Sequence, residues 1–502
     1  MKSWISTAVI YQVNLRSLAA REPRNAMEAA REKKEALSPL AYLTKNLPVI
    51  KQLGANVVYL LPPYPIGFAM RKGIGSPYSS RDFKAVEPEY GTLRELAAMV
   101  RRAHKLGLKV IFDITPNHTS RDHVWALQHP EFYVKDQQGD LYFDCDWSDT
   151  AKLDYTKPEL RREMIRVYDF WLSFLGKAGR GKTGGIDGFR LDMAHFINDR
   201  SFWNEALPLL RDRHAGRELL FLAECYGLQN NMDLFSRGIT AAYDDDFYKV
   251  CQNFYAIRHE DGASCICPSQ EAKSSQDFKD KYEAFVSGGI AGAMARAITS
   301  YRESLPKYPG AHFLARYTDN HDEGRGLYRF GEGAARAVSC VIFFAPDTLP
   351  FLLTGQEFGA LNRPSIHDRI RPCDKGRRIT APNHLWHQDG VEIEGNVFAR
   401  GMKKRTEWYA FYKRLIQLRL KHPEFTRGEF QLLETGEEGP ADQRSVIAFE
   451  RKLGNSRIRC AINLGPEDRK LDKAGALFSG KPLWGSLDNG VLKAFQAVVV
   501  KS

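Results

Sequence analysis

The strongest constraint on the fold is a rhythm of short apolar, β-branched runs separated by helix-length segments. Ala8-Val9-Ile10-Tyr11-Gln12-Val13-Asn14 leads into a helical pattern around Leu40 to Leu53 and then the run Asn56 to Leu61. A helical pattern over Thr92 to Leu106 precedes the run Lys109 to Ile114, and one over Pro158 to Leu175 precedes Gly188 to Leu191. Further runs lie at Leu219 to Ala223, Ala241 to Tyr243, Phe313 to Tyr317 and Pro350 to Leu353, giving eight strands spaced by helices. Strands that are apolar on both faces and alternate with helices predict an α/β fold with a parallel sheet. Eight of them in a chain of 502 residues predict a closed (β/α)8 TIM barrel rather than an open doubly wound sheet.

Two stretches break the rhythm. The connection after strand three, residues 119–156, is too long for an ordinary barrel loop and is rich in Asp and aromatics, including Trp125, Phe132, Tyr133, Tyr142, Phe143 and Trp147. It is expected as a small excursion beside the barrel, whose own residues are then 1–118 and 157–422. After a last helix over Thr406 to Leu420 the pattern changes to short β runs at Glu429 to Glu434, Ser445 to Arg451, Arg457 to Leu464 and Val491 to Val500. That shift, near His422-Pro423, predicts a C-terminal antiparallel β domain over residues 423–502.

Composition excludes several classes. No apolar run near the start is long enough for a signal peptide, and the most apolar later stretch, Val338 to Leu353, is broken by Pro346, Asp347 and Pro350, so neither a targeting segment nor a membrane span is expected. Eight cysteines are too sparse for a disulfide scaffold, and Cys265-Ile266-Cys267 has the wrong spacing for a zinc pair, which predicts reduced thiols in a cytoplasmic protein, with a secreted protein whose signal peptide has been removed as the alternative. The net charge of +11 is spread among acids, with only local runs such as Arg31-Glu32-Lys33-Lys34 and Lys403-Lys404-Arg405. This describes a solvated basic surface and not a nucleic-acid groove.

In a parallel barrel, reactive groups sit at the C-terminal ends of the strands. Strand three is followed by Thr115-Pro116-Asn117-His118, strand four ends in Arg190-Leu191-Asp192, strand five in Glu224, and strand seven in Asp319-Asn320-His321-Asp322. Alternation places Arg190 and Asp192 on one face. Each acid taken singly has a structural alternative as a helix cap, and each histidine as a merely hydrogen-bonded rim residue. Their convergence points to glycosidic bond cleavage, which needs one carboxylate to attack or stabilise and a protonated one to serve the leaving oxygen.

On these residues the chain resembles the alpha-amylase family of retaining glycoside hydrolases and transglycosylases. The four short regions that define the family are matched in order by Asp113 to His118, Gly188 to Asp192, Leu222-Ala223-Glu224 and Asp319 to Asp322, with supporting matches at Ala8 to Leu18, Ser76-Pro77-Tyr78 and Thr354 to Gly359. The resemblance implies a barrel, the excursion after strand three and a C-terminal antiparallel β-sandwich domain, with Asp192 as the nucleophile, Glu224 as the general acid and base, and Asp322 as the carboxylate that grips sugar hydroxyls. It also implies that His118 and His321 bind sugar around the cleavage point, that Tyr78 is an aromatic platform beneath the ring, and that Asp113 and Asn117 orient the loop. Arg190 is expected to orient Asp192. The implied substrate is an alpha-glucan or oligosaccharide, and the expected reaction is hydrolysis of alpha-1,4 bonds in maltooligosaccharides. A glucanotransferase and a catalytically silent carbohydrate-binding protein are the alternatives.

Some departures from the family bear on cofactors. Many starch-degrading members carry Lys-His three and four residues after the nucleophile, helping to bind sugar and calcium, where this chain has His195 and Phe196. No cofactor is expected, and a calcium site of the usual build is not implied, although Asn117 is retained. Gly176 to Thr183 fits the G-x-x-x-x-G-K-[ST] phosphate loop, but it follows a helix and leads into a strand, the reverse of the order that loop requires. The basic charge leaves a sugar phosphate open as a substrate.

Overall fold

All eight expected runs form strands that close on themselves. The computed structural model describes residues 3–18, 37–176, 184–255, 289–308, 310–360, 366, 403–437, 440 and 443–502. The Arg31 to Lys34 run, Cys265 to Cys267, and the glycine-rich loop beyond Gly176 lie outside the described residues.

The strands in chain order are β1 (Ile10–Val13), β2 (Val57–Leu60), β3 (Lys109–Ile114), β4 (His118–Ser120), β5 (Thr150–Lys152), β6 (Gly188–Leu191), β7 (Leu220–Ala223), β8 (Ala241–Tyr243), β9 (Phe313–Arg316) and β10 (Thr348–Leu353). Eight of them form the closed barrel β1-β10-β9-β8-β7-β6-β3-β2, and every neighbouring pair is parallel. β4 and β5 pair antiparallel with each other in the connection after β3, with His118 opposite Lys152.

The outer helices form where local chemistry starts and stops them. Helix Leu93–Lys105 opens on a capping box in which Thr92 and Glu95 satisfy each other's backbone N–H, and it buries Leu96, Met99, Val100 and Ala103 along one stripe. Helix Pro39–Leu53 carries Ser38 as N-cap and Pro39 in its first turn, and stops at Gly54, whose φ of 109° is a left-handed conformation that glycine adopts at no steric cost. Inside the barrel, Gly188 meets a different demand. A Cβ there would lie 2.0 Å from the Leu220 carbonyl oxygen, so only glycine lets β6 lie this close to β7.

Beyond helix Lys403–Lys421 come β11 (Glu429–Leu432), β12 (Val446–Leu453), β13 (Ser456–Asn463), β14 (Arg469–Lys470), β15 (Lys481–Trp484), β16 (Val491–Leu492) and β17 (Ala497–Lys501). They make an antiparallel sheet of order β11-β12-β13-β17-β15 and a β14-β16 ribbon. One face of the sheet packs Ile447, Phe449, Ile458 and Val499 into the main core, and the other meets Leu471 and Leu492 through Val446, Ala448 and Val498. Alternate residues along each strand therefore serve two layers.

The run expected over Val491 to Val500 is two strands. Between them the Gln496 N–H returns to the Lys493 carbonyl at 3.1 Å, closing a turn, and Phe495 takes a φ of 55°. β15 was not expected from the sequence, because Pro482 weakens its strand pattern. It lies at the edge of the sheet, where a missing N–H is tolerated. Among the described residues no helix is long and apolar enough to cross a membrane.

Candidate active site

The site is built by strands that continue their pairing one residue past the barrel. Asp113 on β3 lies opposite Arg190 on β6, and Leu191 opposite Ala223 on β7. The Asp192 N–H then bonds the Ile114 carbonyl at 2.9 Å, and the Glu224 N–H bonds the Leu191 carbonyl at 2.9 Å. Register thus delivers Asp113, Arg190, Asp192 and Glu224 to one end of the barrel.

Arg190, fully buried, joins them. Its Nη1 donates to Asp113 Oδ1 at 2.9 Å and to Asp192 Oδ1 at 2.7 Å, and its Nη2 lies 2.8 Å from Glu224 Oε2 in an ion-pair contact too bent for a hydrogen bond. Burial works against the guanidinium's charge, but Asp113 and then Glu224 outweigh it and raise its pKa, so it stays a cation. One cation faces three carboxylates. Burial, then the charge of Glu224, pushes Asp192 well above the usual carboxylate range, while Arg190 pulls it back. Asp113 is raised by burial and restrained by Arg190.

Backbone strain contributes to the arrangement. Met193, directly after Asp192, has a φ of 45°, a left-handed conformation that costs a non-glycine residue roughly 1–2 kcal/mol. The turn aims the Met193 N–H at Glu224 Oε2, 3.0 Å away. The other oxygen, Oε1, accepts a hydrogen bond from the Tyr226 hydroxyl at 2.8 Å.

The network runs on from Asp113. Its Oδ2 accepts from the hydroxyls of Tyr59 and, at 2.9 Å, Tyr78. The Tyr78 hydroxyl also bonds His321 Nε2, and the two rings stack at 5.5 Å. His321 Nε2 lies 2.9 Å from Asp322 Oδ2, and its Nδ1 meets Gln12 Nε2 at 2.9 Å. Six of the seven residues singled out in the sequence, Tyr78, Arg190, Asp192, Glu224, His321 and Asp322, are therefore linked in one chain of contacts through Asp113. Asp322 is the most open, with its side chain 42% exposed.

His118 enters separately, at the start of β4. It meets Asn117 Nδ2 at 3.3 Å and packs against the Trp147 ring at 5.3 Å, and burial lowers its pKa to about 4, which keeps the imidazole neutral.

A family model described as the alpha-amylase catalytic domain matches residues 31–138 and 131–428. The chain belongs to the alpha-amylase family. It is an alpha-amylase-family glycosidase, and the barrel-end carboxylates are in keeping with that membership. Alpha-amylase 3 of Dictyoglomus thermophilum is 21% identical, with 92% of this chain and 85% of that protein covered. The oligo-1,6-glucosidase of Parageobacillus thermoglucosidasius is 20% identical over 92% of this chain and 90% of its own. Among solved structures, an alpha-amylase from Lactobacillus plantarum superposes with a TM-score of 0.69 at 24% identity, covering 99% of both chains, a likeness of fold.

Some alpha-amylase-family enzymes hold calcium, and the residues around Asn117 and His195 here do not fit that ion. Lys152 Nζ bonds both oxygens of Asp144, at 2.8 and 2.9 Å, and the Asn117 amide donates to the same carboxylate at 2.8 Å. The His195 carbonyl is taken by Arg200 Nε at 2.8 Å. Asn117 Oδ1 is a buried oxygen with no partner among the described residues, a single potential ligand where calcium takes six to eight. An ammonium stands where a dication would have to compete for Asp144.

Four contributors went unread in the sequence: Gln12, Tyr59, Tyr226 and the Met193 N–H. Gln12 carried a signal, as the lone polar side chain inside the apolar run of β1. Tyr226 carried another, standing two residues beyond Glu224 and so on the same side of an extended chain. Asp113, read as a loop-orienting residue, is the hub that ties Arg190 to Tyr78.

Proposed function

We propose that the protein hydrolyses alpha-1,4-glucosidic bonds of maltooligosaccharides by double displacement, with Asp192 as nucleophile and Glu224 as general acid and base. The observation that carries this reading is the single guanidinium of Arg190 gripping Asp192 on one nitrogen and meeting Glu224 on the other. Two carboxyl groups held by one guanidinium lie close together, in keeping with the separation of about 5 Å that retention uses. Asp192 Oδ1 is engaged by Arg190, while Oδ2 has no hydrogen-bond partner among the described residues and is the oxygen offered to the anomeric carbon. In this reading Asp322, whose side chain is 42% exposed and lies 2.9 Å from His321 Nε2, binds sugar hydroxyls, and the half-buried Tyr78 meets the ring.

The excursion after β3 is short, which suits oligosaccharides better than long polymer. The relatives' names include both alpha-amylases and oligo-1,6-glucosidases. The deciding experiment is therefore incubation with maltoheptaose, isomaltose and maltose 1-phosphate, followed by resolution of the products. Shortened maltooligosaccharides with isomaltose untouched support the reading. Release of glucose from isomaltose alone overturns it, and products longer than maltoheptaose identify a glucanotransferase instead.

We also propose that activity needs no calcium, the Lys152 ammonium serving as the internal cation that ties the excursion together. EDTA is expected to leave both melting temperature and turnover unchanged. Lys152→Met is expected to cost about 1–3 kcal/mol of stability in chemical denaturation, between the values for exposed and buried pairs. A melting temperature that falls in EDTA and recovers with calcium would refute this.

A further inference from the structure

The two oxygens of Glu224 face different partners, and the difference says where its proton resides. Oε2 is approached by the Met193 N–H at 3.0 Å and by Arg190 Nη2 at 2.8 Å, both donors that cannot accept. A proton on Oε2 would have to compete with the Met193 N–H, beside a guanidinium nitrogen that has no lone pair to receive it. Among the described residues Oε1 meets a hydroxyl alone, that of Tyr226 at 2.8 Å, which is able to give or to take a hydrogen bond.

The tyrosine is held for this contact. Cys225 is fully buried and turned into the core, so the next residue along the extended chain stands on the side of Glu224. The Tyr226 carbonyl accepts from Asn230 Nδ2 at 3.0 Å, and its ring meets His195 edge-on at 5.8 Å. The residue is still 38% exposed, so the hydroxyl reaches Glu224 from the open side of the site. Burial, then the charges of Glu224 and Asp322, hold the phenol well above its usual pKa, and it remains protonated.

We propose that Tyr226 is the positioning residue of the general acid, holding Glu224 Oε1 as the oxygen that carries the transferred proton. The inference rests on the reading of Glu224 as acid and base. In the first displacement the Oε1–H proton passes to the glycosidic oxygen while the bond from that oxygen to the anomeric carbon breaks and Asp192 Oδ2 bonds the carbon. The electron pair of the broken O–H bond stays on Oε1, and the Tyr226 hydroxyl donates to it. In the second displacement a water oxygen bonds the anomeric carbon, its proton returns to Oε1, and the bond to Asp192 breaks. Tyr226 thus favours the ionised form that Glu224 reaches as the leaving group departs.

The test is Tyr226→Phe, which keeps the ring, measured as kcat/KM with two donors. Maltooligosaccharide has a leaving oxygen that must be protonated, whereas alpha-glucosyl fluoride loses fluoride without that help. This parameter reports formation of the glycosyl-enzyme alone. For maltooligosaccharide the variant is expected to lose about tenfold and to move the basic limb of the pH profile up by about one unit, the worth of one hydrogen bond to a carboxylate. For the fluoride the loss stays within about twofold, and the melting temperature is unchanged. Equal losses on both donors, or an unmoved basic limb, would overturn the proposal while leaving the hydrolytic reading intact. A wild-type protein inert toward both donors would remove that reading and the proposal together.

Discussion

Asp192→Asn is expected to lower maltooligosaccharide turnover on the order of 10⁴-fold or more without lowering the melting temperature. The amide keeps an oxygen for Arg190 Nη1, which donates to Asp192 at 2.7 Å, so the geometry survives. It also removes a charge from a buried place, where burial and then the charge of Glu224 already push the carboxyl well above the usual range. The same raised pKa sets a pH dependence in the wild type. The attacking group must be ionised, so activity rises with pH through the folded-state pKa of Asp192, and the acidic limb of kcat/KM is expected above the ordinary value of 3.8. Undiminished turnover in the variant would sink the nucleophile assignment. Native melting with unaltered sugar binding and no turnover, in wild type as in variant, would instead identify a silent binding protein.

Arg190→Met is expected to cost about 3–5 kcal/mol of stability in chemical denaturation, together with the activity. The side chain is fully buried and is the shared partner of Asp113, Asp192 and Glu224. Removing it leaves three carboxyl groups without their common cation, and a buried charge without a partner costs far more than a broken surface pair. Protonation relieves part of this loss, so the deficit is expected to shrink as pH is lowered. Adding Asp113→Asn to Arg190→Met should restore part of the stability, a coupling that a double-mutant cycle measures. A single variant within about 1 kcal/mol of wild type would show that Arg190 is not the electrostatic centre of the site.

Much of this was legible in the chain itself. A strand buried on both faces declares itself by its apolar run, which is why all eight barrel strands could be read and why their polar ends could be searched for chemistry. Asp192 and Glu224 were found by that route, as residues that immediately follow apolar segments, and Asp322 as the last of the polar stretch Asp319 to Asp322 beyond another. The rule failed where the signal is weak or interrupted. The stretch Val491 to Val500 has an unbroken strand composition, yet the Phe495 N–H turns to the Gly465 carbonyl at 3.1 Å and divides it. β15 was hidden by Pro482, which only an edge position excuses.

The partners of the reacting groups were less legible than the groups. Gln12 and Tyr59 belong to β1 and β2, far along the chain from Asp113 and His321, and no local pattern announces a contact that exists only once the barrel closes. Tyr226 differs, since its position relative to Glu224 is a matter of two residues, but which oxygen it meets depends on the left-handed turn at Met193 that occupies the other.

The amino-acid sequence by itself determined the order of strands and helices and the chemistry waiting at each strand end, because periodicity and residue type are local properties. Only the tertiary structure decided that three carboxylates would share one buried guanidinium. That outcome depends on the parallel register that sets Asp113 beside Arg190 across 77 residues of chain, and on the low-dielectric interior that makes one cation so consequential.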